Sequence, residues 1–195
     1  SFSSEAPEYE KHDNLEVFRI KLPAHQNGFI DQSKAFINYA INARKITSSR
    51  EYDIVYATSG RLMTAVLGAW IAWRTKAKLY LDIRDIFVDT IKDVLPLKVS
   101  FFVIPVFSFL ERWAINQADK VNLVSEGFRD YFQLRYPQKS FSFFTNGIDK
   151  EFILVRKNTI ITPTYNEKIN VVYAGNMGEG QGLHKVIPEL AKIMH

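Results

Sequence analysis

Residues Tyr52–Arg84 read YDIVYATSGRLMTAVLGAWIAWRTKAKLYLDIR. Asp53–Ser59 is a short run rich in β-branched and aromatic residues, and Lys78–Arg84 is a second. Between them, Leu62–Thr75 carries apolar residues at helical spacing, with Ser59-Gly60 as the entry to that helix. Two strands joined by a helix must run parallel, because a parallel pair needs a crossover too long for a hairpin. Both runs are apolar on both faces, as a buried parallel strand requires.

Reading outward, the same alternation continues. Strands are expected at Leu15–Leu22, Lys120–Ser125 and Phe141–Thr145 as well, and helices at Asp31–Ser48, Val99–Gln117 and Gly127–Arg135. Alternating strands and helices define an α/β chain with a Rossmann-like parallel sheet. The 195 residues correspond to about 1.3 domains at roughly 150 residues each. At 47% hydrophobic and 14% aromatic there is enough apolar surface for a packed core, which excludes a disordered chain.

The longest charge-free stretches, Leu62–Trp73 and Val99–Leu110, are well short of the ~20 residues a spanning helix needs. The absence of cysteine excludes disulfide and thiolate chemistry and suits a reducing compartment. The opening residues show no signal-peptide pattern, and no internal repeat is present. Net charge is +4, and the residues up to Leu97 hold 13 bases and 12 acids, so no basic arm points to nucleic acid. One loose basic series, Arg44, Lys45, Arg50, Arg61, Arg74, Lys76 and Lys78, reads either as solvated helix faces or as a phosphate-binding surface.

Lys150–Lys168 mixes Lys, Asn and Thr with one Pro and reads as an interdomain linker. A fresh strand, Asn170–Ala174, a glycine loop and a helix follow. Gly175, Gly178, Gly180 and Gly182 fall between that strand and that helix. There missing β-carbons let the backbone approach a phosphate, and free N–H groups at the helix start can bind it. A tight turn without ligand is the alternative, which four glycines in eight residues disfavour, and a dinucleotide fingerprint is imitated in part. Pro188 is expected to kink the helix after it.

Asp82, Arg84 and Asp85 close a predicted strand at its carboxyl end, where open α/β sheets bind ligands. Alternation puts Asp82 and Arg84 on one face and Asp85 at the rim. A carboxylate there is a candidate base for an acceptor hydroxyl, and Arg84 a candidate for holding a phosphate or a neighbouring carboxylate. An Asp–Arg pair bracing the sheet end is the plainer alternative. Asp85, Asp89 and Asp93 are spaced for one helical face, but no D-x-D triplet occurs and no metal is expected. The four histidines show no metal spacing.

Five passages, YDIVYATSG at Tyr52–Gly60, LDIRDIF at Leu81–Phe87, ERWAINQADKVNLVSEGF at Glu111–Phe128, FFTNGID at Phe143–Asp149 and INVVYAGNMGEGQGL at Ile169–Leu183, occur in this order. In them the chain resembles the retaining GT-B glycosyltransferases, the bacterial nucleotide-sugar enzymes of capsule and lipopolysaccharide synthesis. The resemblance implies an acceptor-side Rossmann-like domain at 1–149, a linker at 150–168, and at 169–195 the first strand–helix unit of a donor-binding domain. It also implies that the family's opening strand, glycine loop, helix and second strand are missing before Ser1, as is most of the donor domain after His195.

On the same ground, Ser59, Gly60, Asp82, Arg84 and Asn146 belong to the acceptor side of the cleft, with Asp85 as catalytic base. Gly175, Asn176, Gly178, Gly180, Gln181 and Gly182 would hold the donor diphosphate. The substrates implied are a nucleotide-sugar and a polyprenyl-linked or saccharide acceptor, without a cofactor. The place implied is the cytoplasm or the cytoplasmic face of a membrane. Leu95–Trp113, aromatic and interrupted by Pro105, is either buried between sheet and neighbours or laid in a membrane interface. A non-catalytic sugar- or protein-binding module and an NAD-type oxidoreductase remain the alternatives.

Overall fold

The computed structural model describes residues 6–22, 29–88, 97–150, 153, 171–175 and 182–193. Its centre is a parallel sheet of four strands in sequential order: β3 (Ile54–Ser59), β4 (Lys78–Ile83), β5 (Lys120–Leu123) and β6 (Phe141–Ser142). Helix α2 (Leu62–Thr75) crosses from β3 to β4, α3 (Leu97–Gln117) precedes β5, and a 3-10 turn (Glu126–Phe128) leads into α4 (Arg129–Arg135). Helix α1 (Phe29–Thr47) precedes β3. The α/β class and the parallel sheet expected from Tyr52–Arg84 are thus present.

The core forms where one face of the sheet meets the helices. Leu79, Leu81 and Ile83 of β4 and Val121 and Leu123 of β5 are buried there with Leu62, Ala65, Ala69 and Ala72 of α2. Ala114 and Ile115 of α3 and Phe132 of α4 complete the cluster. The small residues of α2 let its backbone come close to the strands. At Gly68 the approach is so tight that an added β-carbon would lie 2.5 Å from that of Ala57. Helix α3 is tied to the end of α4 by the Tyr136 hydroxyl, which donates to Glu111 Oε1 at 2.7 Å. Burial, then the adjacent Glu111 carboxylate, raises the Tyr136 phenol far above its ordinary range.

Three expectations need correction. Leu15–Leu22 does not join the parallel sheet. β2 (Leu15–Phe18) pairs antiparallel with β1 (Tyr9–His12) in a separate two-stranded ribbon, turning at Asp13 with φ 48°. Its alternation of charged and apolar residues suits a two-sided ribbon rather than a strand buried on both faces, and Arg50 fastens it to the core by bonding Glu16 at 2.6 Å.

The strand expected at Asn170–Ala174 is not formed over Val171–Ala174, and Val171 and Val172 are 62% and 85% exposed outside the sheet. Among the described residues no strand pairs with this segment, and a strand without a neighbour has no ladder to define it. The helix after it, α5 (Leu183–Ile193), does form and runs through Pro188. Finally, α3 is not buried all round: its Pro105 lies inside the helix, and Phe101 and Phe109 are 76% and 67% exposed. Apart from Lys150 and Ile153, the linker lies outside the described residues.

Candidate active site at the carboxyl edge of the sheet

Parallel register sets one polar residue of each strand side by side. Thr58 stands opposite Asp82, Asp82 opposite Asn122, and Asn122 opposite Ser142. These four form one row across the sheet near its carboxyl edge, on the face opposite Leu81, Ile83, Val121 and Leu123. Its two buried members, Asp82 and Asn122, must be satisfied internally, and they are.

Asn122, 2% exposed, uses its whole side-chain capacity. Its Nδ2 donates to Asp82 Oδ1 at 2.7 Å and to the Phe144 carbonyl at 3.0 Å. Its Oδ1 accepts from Ser142 Oγ at 3.1 Å and from the Phe144 amide at 2.7 Å. The Asn122 side chain therefore sets the path of the backbone that leaves β6.

Asp82 is 4% exposed and engaged at both oxygens. Oδ2 accepts from Thr58 Oγ1 at 2.7 Å and from Arg84 Nε at 3.1 Å. Arg84 Nε also donates to Thr58 Oγ1 at 2.8 Å. Burial alone would raise the Asp82 pKa, but the bonds from Asn122, Thr58 and Arg84 outweigh it and hold the carboxyl below its ordinary value. A carboxylate so held is a fixed negative charge and a weak proton acceptor. It acts back on Tyr56 one turn of the pleat away, whose phenol is raised first by burial and then by Asp82.

Asp85 is of the opposite kind. It is exposed at the rim, and Oδ1 accepts from the Ile86 amide at 2.8 Å. Oδ2 makes no hydrogen bond among the described residues. Gly60 lies beside it: a β-carbon added there would stand 3.8 Å from that of Asp85, so glycine keeps this side of the carboxylate unshaded.

Of the residues singled out from the sequence, Asp82 and Arg84 are joined directly and Gly60 and Asp85 adjoin at the same edge. Ser59 ends β3 opposite Ile83. Asn146 is exposed in the segment after β6, two residues past the Phe144 backbone that Asn122 holds. Gly175 is exposed, and Gly182 precedes α5 with φ +62°, a conformation that favours glycine, while its carbonyl accepts from the Lys185 amide at 2.9 Å. Asn176, Gly178, Gly180 and Gln181 lie outside the described residues, as do Asp89, Asp93, His25 and His195. Thr58, Asn122 and Ser142 were not singled out. The available signal was a small or uncharged polar residue, Thr58, Asn122 or Ser142, near the carboxyl end of each strand.

A family model described as a glycosyl transferase 4-like domain matches residues 3–141, which include the ribbon, the whole parallel sheet up to Phe141 and the Asp82–Asp85 edge. The chain belongs to this family. The matched glycosyl transferase 4-like domain is a transferase domain, and its Rossmann-like sheet is the one described above. No curated protein matches the chain. Among the described residues, no helix is long and apolar enough to cross a membrane.

Proposed function

We propose that this domain serves the transfer of a sugar from a nucleotide-sugar to an acceptor hydroxyl with retention of anomeric configuration, in the synthesis of a cell-surface polysaccharide. One observation carries the reading. Two carboxylates three residues apart at one sheet edge are divided between two tasks, Asp82 saturated by donors and Asp85 open at the rim.

In the proposed reaction the acceptor hydroxyl gives its proton to Asp85 Oδ2 as its oxygen bonds to the anomeric carbon on the same face that the diphosphate leaves, as retention requires. The bond from that carbon to the diphosphate oxygen breaks, and its electron pair leaves with the nucleoside diphosphate. Among the described residues Arg84 uses only its Nε, on Thr58 and Asp82, so its terminal nitrogens remain to bind an anionic part of a substrate. The loop from Gly175 to Gly182 takes the donor diphosphate, and its positive-φ Gly182 at the start of α5 suits backbone N–H groups turned to a phosphate. The acceptor is a polyprenyl-linked or free saccharide met on the cytoplasmic face of a membrane. Closure of acceptor and donor sides completes the site.

The test is titration of the complete enzyme with nucleotide-sugars and with NAD, followed by product analysis. Transfer with retained configuration is expected. Binding without transfer would assign a binding module, and tight NAD binding an oxidoreductase. Asp85→Asn is expected to lower turnover by roughly 10²- to 10⁴-fold while leaving the melting temperature unchanged, because Asp85 is exposed. Unchanged turnover would remove Asp85 from the role.

A further inference from the structure

Helix α2 leaves the carboxyl end of β3 and returns to the amino end of β4, so its last turn lies at the end of the sheet remote from Asp82 and Asp85. There the last turns of α1 and α2 and the approach to β3 enclose a cleft of about 300 Å³. Arg44, Arg50, Glu51, Trp70, Arg74 and Lys76 are among the residues that line it. The guanidinium carbons of Arg44 and Arg74 stand 5.8 and 5.6 Å from the centre of the Trp70 ring, so one indole holds two cations at the wall. Arg50 is already paired with Glu16 at 2.6 Å. Among the described residues Arg44, Arg74 and Lys76 have no carboxylate at ion-pair distance, so the concave surface holds three unpaired cations against one lining carboxylate, Glu51.

Basic residues in the last turn of a helix complement its dipole, which accounts for Arg44, Lys45 and Arg74. The dipole favours a cation at Lys76 too, but not the backbone conformation that a side chain must adopt there. This residue ends α2 with φ 57° and ψ 23°, the left-handed position of a Schellman turn that glycine usually fills, with the Ala77 amide on the Ala72 carbonyl at 3.0 Å. A side chain there is a conformational cost that glycine would remove. The lysine side chain held there adds a third cation without an ion-pair partner to the cleft.

We propose that this cleft binds a phosphate-bearing anion, carried by a soluble polyphosphate compound or by a lipid headgroup, at a site separate from the Asp82–Asp85 edge. Three open cations call for more than one negative charge, and guanidinium forks match the tetrahedral oxygens of phosphate. The proposal does not depend on the reaction proposed above.

The chain is titrated calorimetrically with inorganic pyrophosphate and co-sedimented with vesicles containing roughly one-quarter phosphatidylglycerol in phosphatidylcholine, each at about 50 and about 200 mM salt. Lys76→Gly and Arg74→Gln are compared with the parent. Binding that weakens with salt and falls roughly tenfold in each variant is expected. Lys76→Gly should melt at the same temperature as the parent or higher, because it relieves the left-handed backbone, so a loss of binding there is not a loss of fold. Pyrophosphate binding with this pattern assigns a soluble ligand, and vesicle binding alone assigns a headgroup. The proposal is overturned if the parent binds neither probe, or if both variants bind as the parent does.

Discussion

Asp82 and Asp85 show how three residues of separation change what a carboxylate can do. Asp82 lies inside the row and receives four hydrogen bonds or charge contacts through Thr58, Arg84, Asn122 and Tyr56, so its charge is part of the sheet. Its folded pKa is depressed, and the stabilisation it supplies is therefore complete above the ordinary value of 3.8 and lost as pH falls through the folded one. Asp82→Asn places an amide donor against the amide of Asn122. It is expected to cost about 2 kcal/mol near neutral pH, most of it from charge-assisted bonds to a buried acceptor. Denaturant midpoints measured from pH 7 down to pH 2 should show the two proteins converging as pH falls below the ordinary value of 3.8 and through the lower folded one, where the parent becomes neutral too; a constant gap would mean that Asp82 is not ionised in the row. Asp82, Arg84 and Asp85 were legible in the sequence because charges that end an apolar strand stand out. Asn122, which orders the row, was not, because an asparagine in VNLV shows its importance only once register sets it between Asp82 and Ser142.

Among the elements, α2 depends most on the size of single residues. Its expected bounds, Leu62–Thr75, are the observed ones, since the apolar spacing runs from Leu62 into the last turn. β2 was misassigned because its partner β1 is half charged, and an antiparallel ribbon is recognised from the pair rather than from either strand alone. Spacing also could not reveal why α2 carries Gly68 among its alanines. Alanine there would gain about 1 kcal/mol of helix propensity, but its β-carbon would meet Ala57 at 2.5 Å, and overpacking of this kind costs roughly 1–3 kcal/mol. The steric effect should win, so Gly68→Ala is expected to destabilise by about 1 kcal/mol net. Ala57→Gly in the same chain opens the space, and the double variant should recover the loss when the four proteins are compared in a thermodynamic cycle. Additive effects would show that the helix and β3 are not in this contact.

At the scale of the molecule, stability is unevenly distributed. β4 and β5 are flanked on both sides by strands and carry Leu81 and Leu123 at 0% exposure, so their amides should open only with the fold as a whole. The residues after the linker are unlike them. α5 buries none of its residues, and its Val186, Ile187 and Ile193 are 59%, 55% and 82% exposed. Eleven residues are below the ~12–15 at which isolated helices become even marginally stable in water, and Pro188 removes one internal bond and crowds the carbonyl four residues earlier. A helix with an apolar face and no core beneath it persists only when something covers that face. In this chain, hydrogen exchange followed by mass spectrometry is expected to label Val186–Lys192 within seconds while Leu79–Ile83 and Val121–Leu123 stay protected for hours. A longer polypeptide that supplies further strands and helices after Ile193 should slow exchange in α5 to the rate of its new neighbours, with the β4 and β5 rates unaltered. If instead α5 is protected in the 195-residue chain at the level of β4, it packs on the first sheet, and the donor side proposed for the Gly175–Gly182 loop would have to be redrawn as part of the same domain as Asp85.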